Sequence, residues 1–171
     1  MKNFVLICIG FLLGVIVMVP FAVHRELFDR ENDAAVSGTY TVTNVVDGDT
    51  IDVRDAFGKE DRVRLVGIDT PETVDQNRPV GCFGPEATLR MKELVEGETV
   101  TLQNKPDEDR DTYGRLLRYV FLGDRDIGAV MIEEGYAVSL CKRFPHARCT
   151  EYDEMERAAK AGGMGRWGAC T

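Results

Sequence analysis

The sequence predicts an α+β domain: about five short strands closed into a small barrel, with about three helices, preceded by an N-terminal hydrophobic helix. Three observations carry that reading. Short β-rich runs are punctuated by Asp-, Gly- and Pro-containing turns, one segment carries an apolar stripe at helical spacing, and residues 4–23 contain no charged residue.

Taking the elements in order, the twenty residues 4–23 match a hydrocarbon core, since about twenty residues at ~1.5 Å rise span ~30 Å. A cleaved signal has a shorter apolar run and a small-x-small site, whereas Pro20-Phe21-Ala22 puts proline at the first position. Residues 1–23 therefore read first as an uncleaved anchor, with a cleaved signal peptide as the alternative. Either one sends the rest of the chain out of the cytoplasm, to be secreted or membrane-anchored through residues 4–23. Residues 24–37 are polar, mixed in charge and linker-like, and residues 38–171 form the folded domain.

Within the domain, Tyr40, Val42 and Val45 lead into the turn Asp47-Gly48-Asp49, and Thr50-Ile51-Asp52-Val53 resumes in alternation. Residues 63–68 form the next strand, ended by Asp69-Thr70-Pro71. A loop over 72–83 precedes Gly84-Pro85-Glu86, where proline suits a first helical turn. Ala87, Met91, Leu94 and Val95 supply that helix's apolar stripe, and Gly97 ends it. Residues 99–102 and 116–122 return to strand. Helices follow over 129–134, stopped by Gly135, and over 151–161, stopped by Gly162-Gly163. Five strands of this length avoid exposed edges by closing into a partly open barrel of the OB type.

Composition sets the function classes. The chain carries 21 Lys+Arg against 29 Asp+Glu, a net charge of −8. Such a surface repels polyanions at a distance. The only histidines are His24 and His146, and the only serines are Ser37 and Ser139. Paired-histidine acid/base chemistry is thereby nearly excluded, and a Ser-His-Asp triad has one pairing open to it. No CxxC, HExxH or GxxxxGK[ST] occurs. Residues 163–168 spell GxGxxG, but they follow a helix rather than a strand, which rejects a dinucleotide site. Cys82, Cys141, Cys149 and Cys170 fit an oxidising compartment and two disulfides, with three pairings open and buried free thiols as the alternative. Trp167 reads as a packing anchor, His146 as a surface residue and residues 107–109 as a solvated acidic face.

Two acidic turns and two arginines remain. Asp47-Gly48-Asp49-Thr50 and Asp69-Thr70-Pro71-Glu72 each end a strand, and carboxylates with carbonyls on neighbouring strand ends are what a hard cation requires. Arg64 lies five residues before Asp69, and Arg115 ends Asp111-Thr112-Tyr113-Gly114-Arg115 just before a strand. A guanidinium matches phosphate oxygens bidentately and stays charged at any working pH. Taken singly, each turn is common turn chemistry and each arginine an ordinary surface cation.

In order and spacing, DGDT, R-LVGI-DTPE, GPEA at a helix start, D-YGR and a closing Gly-x-Trp-Gly resemble the thermonuclease (staphylococcal nuclease) family, over roughly residues 39–168. The resemblance implies an OB-fold nuclease that cleaves phosphodiesters of DNA and/or RNA with Ca2+. It implies that Asp49 and Asp69 supply metal carboxylates and Thr70 a backbone carbonyl. It implies that Glu72 positions or deprotonates the attacking water, that Arg64 and Arg115 clamp the phosphate, that Tyr113 lies near it, and that Asp47 is an outer acid. The loop over 72–83 lacks the family's lysines. Two tyrosines that pack on the nucleotide base align with Cys141 and Arg143, so base preference does not transfer.

All five residues that such a nuclease needs (Asp49, Arg64, Asp69, Glu72 and Arg115) are present together, which favours catalysis. The competing expectations are a non-catalytic OB module binding nucleic acid or a protein at the cell surface, and a Ca2+-stabilised structural domain. The chain is expected to act as a monomer. Residues 38–171 carry −7, so attraction to nucleic acid should be local, at the arginines and the metal.

Overall fold

The computed structural model describes residues 37–73, 79–105 and 108–170. Among them no helix is long and apolar enough to cross a membrane. The expected hydrophobic helix over 4–23 and most of the linker lie outside the described residues.

The barrel is built from five strands. β1 (Ser37–Asp47) turns through Gly48-Asp49 into β2 (Thr50–Arg54), which pairs antiparallel with β3 (Glu60–Leu65). β1 is long enough to pair twice, with β2 through its C-terminal half and with β5 (Thr99–Asn104) through residues 37–41. Register irregularities after Val42 and Val45 bend it between the two partners, as a bulge does. β6 (Leu116–Leu122) pairs antiparallel with β5 and parallel with β3, through Val63↔Leu116, and so closes the barrel. The expected OB-type barrel is present. β4 (Ile68–Asp69) pairs outside it with β8 (Val138–Ser139), and β7 (Arg125–Asp126) adds a short hairpin to β6.

α1 (Gly84–Val95) opens at Gly84 with Pro85 in its first turn as expected, and with Glu86 there too, where the helix dipole favours an acid. Its stripe Ala87, Met91, Leu94 and Val95 is buried against the barrel. α2 (Ile127–Glu133) begins before the predicted 129 because Asp126 caps it, accepting the Ala129 N–H at 3.2 Å. α3 (Cys149–Ala161) and a four-residue α4 (Arg166–Ala169) complete the chain. The core runs from the barrel interior (Ile51, Val63, Leu102, Val120) into the helical layer (Met91, Ile132, Tyr152). Each such side chain contributes about 1.5–3 kcal/mol through burial. The Tyr152 hydroxyl is not stranded there, since it donates to Asp126, which Arg148 also faces at 3.2 Å.

Three expectations need correction. Residues 63–68 are not one strand: β3 stops at Leu65 and Gly67, at φ +81°, turns the chain into β4. His146 is not a surface residue, because its ring is half-buried between Tyr119 and Tyr152. Asp109 does more than solvate a face, because it pairs with the buried Arg118 guanidinium. Of the possible cysteine pairings, the structure holds Cys82–Cys170 and Cys141–Cys149.

Candidate active site

The two acidic turns, twenty residues apart in sequence, meet at one carboxylate. Asp47 accepts the Asp49 N–H at 3.0 Å, which closes the first turn and points Asp49 inward, and the Asp49 carbonyl accepts the Leu65 N–H of β3. Gly48 is required here, since a Cβ would come within 2.8 Å of the Thr70 methyl and 3.0 Å of Ala87. Asp49 is only 5% exposed, and its carboxylate is saturated with donors. One oxygen takes the Thr70 N–H (2.9 Å) and hydroxyl (3.1 Å), and the other takes the Thr50 hydroxyl (3.0 Å) and lies in an ion pair with Arg64 Nη1 (3.0 Å).

Arg64 fastens the second turn. Register sets it opposite Thr50, and its Nη1 also donates to the Ile68 carbonyl at 2.9 Å while Nη2 reaches Asp69 at 3.0 Å. One guanidinium thus bridges both predicted metal carboxylates. Asp69, unlike Asp49, has a side chain 53% exposed to solvent. Glu72 is half-buried and accepts the Thr73 N–H at 3.0 Å, and its charge reaches Asp69.

Arg115 arrives from the loop before β6, the strand that lies parallel beside β3. Asp111 accepts its backbone N–H at 2.9 Å and its Nε at 2.6 Å, which braces the guanidinium and leaves Nη1 3.4 Å from the Thr50 hydroxyl. Burial pushes the Asp111 carboxyl up, but the Arg115 hydrogen bonds outweigh it and hold it below the usual range. Arg115 lies 5.3 Å from the centre of the Tyr113 ring, which is 84% exposed at the rim. Asp49, Arg64, Asp69 and Thr70 therefore form one group joined by hydrogen bonds and the Arg64–Asp49 ion pair, with Arg115 joined through Thr50, Glu72 beside Asp69, and Tyr113 outermost.

Two participants were not singled out from sequence. Thr50 links Asp49 to Arg115, and its signal was the register of the β2–β3 hairpin. Arg166, on α4, puts a further positive charge near Asp69, and no local sequence signal announces that approach.

Acid density shows in the titration of the site. Asp47 is pushed up to about 6, first by burial and then by the Asp49 charge. Asp69 is raised by burial and by Asp49, with Arg64 opposing. The oxygens gathered here, on exposed Asp69 and on buried Asp49 and Thr70, are hard ligands without sulfur or imidazole beside them, a set that fits a Ca2+-type cation rather than zinc or copper. Asp69, Asp49 and Thr70 would hold it, with Asp49 contributing once one of its partners turns away. Such an ion would relieve the crowding that raises Asp47 and Asp69.

A small OB barrel with carboxylates and arginines gathered at its strand ends defines a class of protein, and residues 62–169 match the family model described as staphylococcal nuclease homologue. The chain belongs to that family. It is 36% identical over 126 residues to a thermonuclease of Staphylococcus intermedius, covering 73% of this chain and 74% of the relative. A Staphylococcus hyicus thermonuclease is 43% identical over 99 residues, 58% of this chain and 57% of the relative. Endonuclease YncB of Bacillus subtilis (strain 168) is 34% identical over 128 residues, 74% of this chain and 60% of that protein.

Proposed function

We propose that the chain is an exported, Ca2+-dependent nuclease that hydrolyses phosphodiester bonds of DNA and/or RNA. The observation that carries this reading is the convergence of Asp49, Arg64, Asp69 and Arg115 on one another through Thr50 and Thr70. Family membership supports the nuclease class, and the uncharged run at residues 4–23 supports export.

Phosphodiester hydrolysis builds negative charge on the equatorial phosphate oxygens, so donors fixed in advance lower the barrier more than they favour the ground state. Arg115 is such a donor: Asp111 occupies its Nε, and Nη2 makes no hydrogen bond among the described residues. Arg64 fixes the acidic turns, and its Nη2, shared with exposed Asp69, is the atom that would meet a phosphate oxygen. Glu72, half-buried beside Asp69, orients a water or takes its proton. Bound Ca2+ would supply positive charge at a phosphate oxygen and order the acids around it. Many other arginines are matched by carboxylates, as in Arg54–Glu60, Arg62–Asp52 and Arg90–Glu134, so the pull on a polyanion is local.

The experiment is hydrolysis of single-stranded DNA and RNA by the purified chain, with Ca2+ and with a chelator. The expected result is Ca2+-dependent product, reduced roughly 10²–10³-fold in Arg115→Ala and in Glu72→Gln. No product from the wild-type chain would leave a binding module in its place. Undiminished activity in both variants would remove the assigned mechanism.

A further inference from the structure

Against Gly67 of the β3–β4 turn, a second reactive group is assembled around the Cys141–Cys149 disulfide. Cys141 is 7% exposed and Cys149, the first residue of α3, is half-buried. His146 lies between them in sequence and in space. Its Nε2 is 3.1 Å from Cys141 Sγ, and its backbone N–H donates to Cys149 Sγ at 3.2 Å.

The other imidazole nitrogen fixes the tautomer. Nδ1 receives the Arg148 backbone N–H at 3.3 Å and faces the Tyr119 hydroxyl at 3.0 Å. A nitrogen that accepts an N–H carries no proton, so in the neutral ring the proton is on Nε2, directed at Cys141 Sγ. Burial holds His146 below its ordinary pKa and keeps the ring neutral. Gly67 makes room for the ring, since a Cβ there would fall on the imidazole. Each sulfur thus has an N–H donor, and Cys149 also begins a 13-residue helix, where a thiolate is favoured. Among the described residues, no hydrogen bond reaches either sulfur of Cys82–Cys170.

We propose that Cys141–Cys149, with His146, is a thiol–disulfide exchange site that reacts with low-molecular-weight thiols, whereas Cys82–Cys170 is a structural crosslink. In the first step a thiolate RS⁻ attacks the more accessible Cys149 Sγ. The RS–Sγ bond forms, the Sγ–Sγ bond breaks, and its electron pair goes to Cys141 Sγ. There the Nε2–H holds the nascent thiolate until it takes a proton from solvent, replacing the one lost when RSH ionised. A second RS⁻ attacks the mixed disulfide at the RS sulfur and releases Cys149, whose thiolate keeps the His146 backbone N–H. The sum is two RSH oxidised to RSSR and one protein disulfide reduced to two thiols. Stabilising the reduced form makes a disulfide more oxidising and its exchange faster. The inference is independent of the nuclease reading.

The test is a redox titration of the folded chain in reduced and oxidised glutathione, with each cysteine followed by differential alkylation and mass spectrometry. A brief pulse of reduced glutathione should place the adduct on Cys149. Cys141–Cys149 should be reduced roughly tenfold faster than Cys82–Cys170, although Cys82 is the more exposed. His146→Ala should slow the first disulfide roughly tenfold and leave the second unchanged. Equal rates for the two disulfides, an adduct first on Cys141, Cys82 or Cys170, or no effect of His146→Ala would overturn the proposal. If His146→Ala fails to fold by circular dichroism, the adduct site and the rate ratio in the wild-type chain decide.

Discussion

Removing the Arg64 side chain should destabilise the fold before it reveals anything about chemistry. The Arg64 side chain is 13% exposed and that of its partner Asp49 8%, so the pair is shielded from solvent. Breaking a buried pair by deleting one member costs about 3–5 kcal/mol, because the remaining charge is left uncompensated. Asp49 would keep three donors, from Thr50 and Thr70, which places Arg64→Ala at the lower end, about 3 kcal/mol. The contact to Asp69 adds little, since that carboxylate is half in water. A domain of about 130 residues has an unfolding entropy near ~0.28 kcal/mol/K, so Tm should fall by about 11 °C. The assay is thermal unfolding by far-UV circular dichroism in chelator, which removes any cation able to replace the lost charge. Asp49→Asn added to Arg64→Ala should recover more than half of the loss. A fall under about 3 °C, or no recovery in the double variant, would mean that Asp49 is solvated and that the bridge between the turns is not a buried one.

Other outcomes follow from the same geometry. Gly67→Ala combines a left-handed backbone with a Cβ placed on the His146 ring, whereas Gly58→Ala has the backbone conformation (φ +86°) but open space around it. Urea unfolding should therefore show a loss of about 1 kcal/mol at Gly58 and about 2–3 kcal/mol at Gly67; equal losses would mean that the imidazole yields freely. Asp47 has a folded pKa of about 6, above its unfolded value of 3.8, so the unfolded chain loses that proton first and stability falls as pH rises from about 4 to about 6. Asp47→Asn keeps the acceptor for the Asp49 N–H without the charge, and in chelator it should gain on the wild-type by about 2 kcal/mol between pH 4 and 7; a difference that does not change with pH would contradict the assignment. Ca2+ at a hundredfold excess over its Kd should stabilise the chain by about 2.7 kcal/mol in the same melts, and Asp69→Ala should abolish the shift; an unmoved Tm in the wild-type chain would argue against a metal site.

Much of the barrel was legible because its strands obey simple rules. Thr50-Ile51-Asp52-Val53 alternates, and α1 carries Pro85, a four-residue stripe and Gly97 where each belongs. β3 was misread at both ends for physical reasons. Of its first residues, Glu60 and Arg62 face outward and pair across the hairpin with Arg54 and Asp52, and Asp61, on the face of Val63, is covered by Lys59 and Arg110. Its apparent continuation through residue 68 is an apolar run that Gly67 folds back. β4 and β8 are two residues each, too short for periodicity to register, yet their pairing sets Asp69 opposite Val138. At the site, the identities of Asp49, Arg64, Asp69 and Arg115 were readable from the order of motifs. The saturation of Asp49 was not, since its donors come from three different elements. His146 was misjudged because everything that buries it arrives from residues 67, 119, 141 and 152.

The Cys82–Cys170 link, whose ends lie 88 positions apart in sequence, makes a covalent ring of the two later barrel strands and of every helix among the described residues. A protease that cuts once anywhere between those cysteines opens a loop without producing two molecules. Arg115, inside the ring, and Asp49, Arg64 and Asp69, outside it, stay connected through Cys82 and the unbroken chain before it. In a milieu rich in proteases the nicked form can therefore persist as one species, and only a reductant would separate its fragments on a gel.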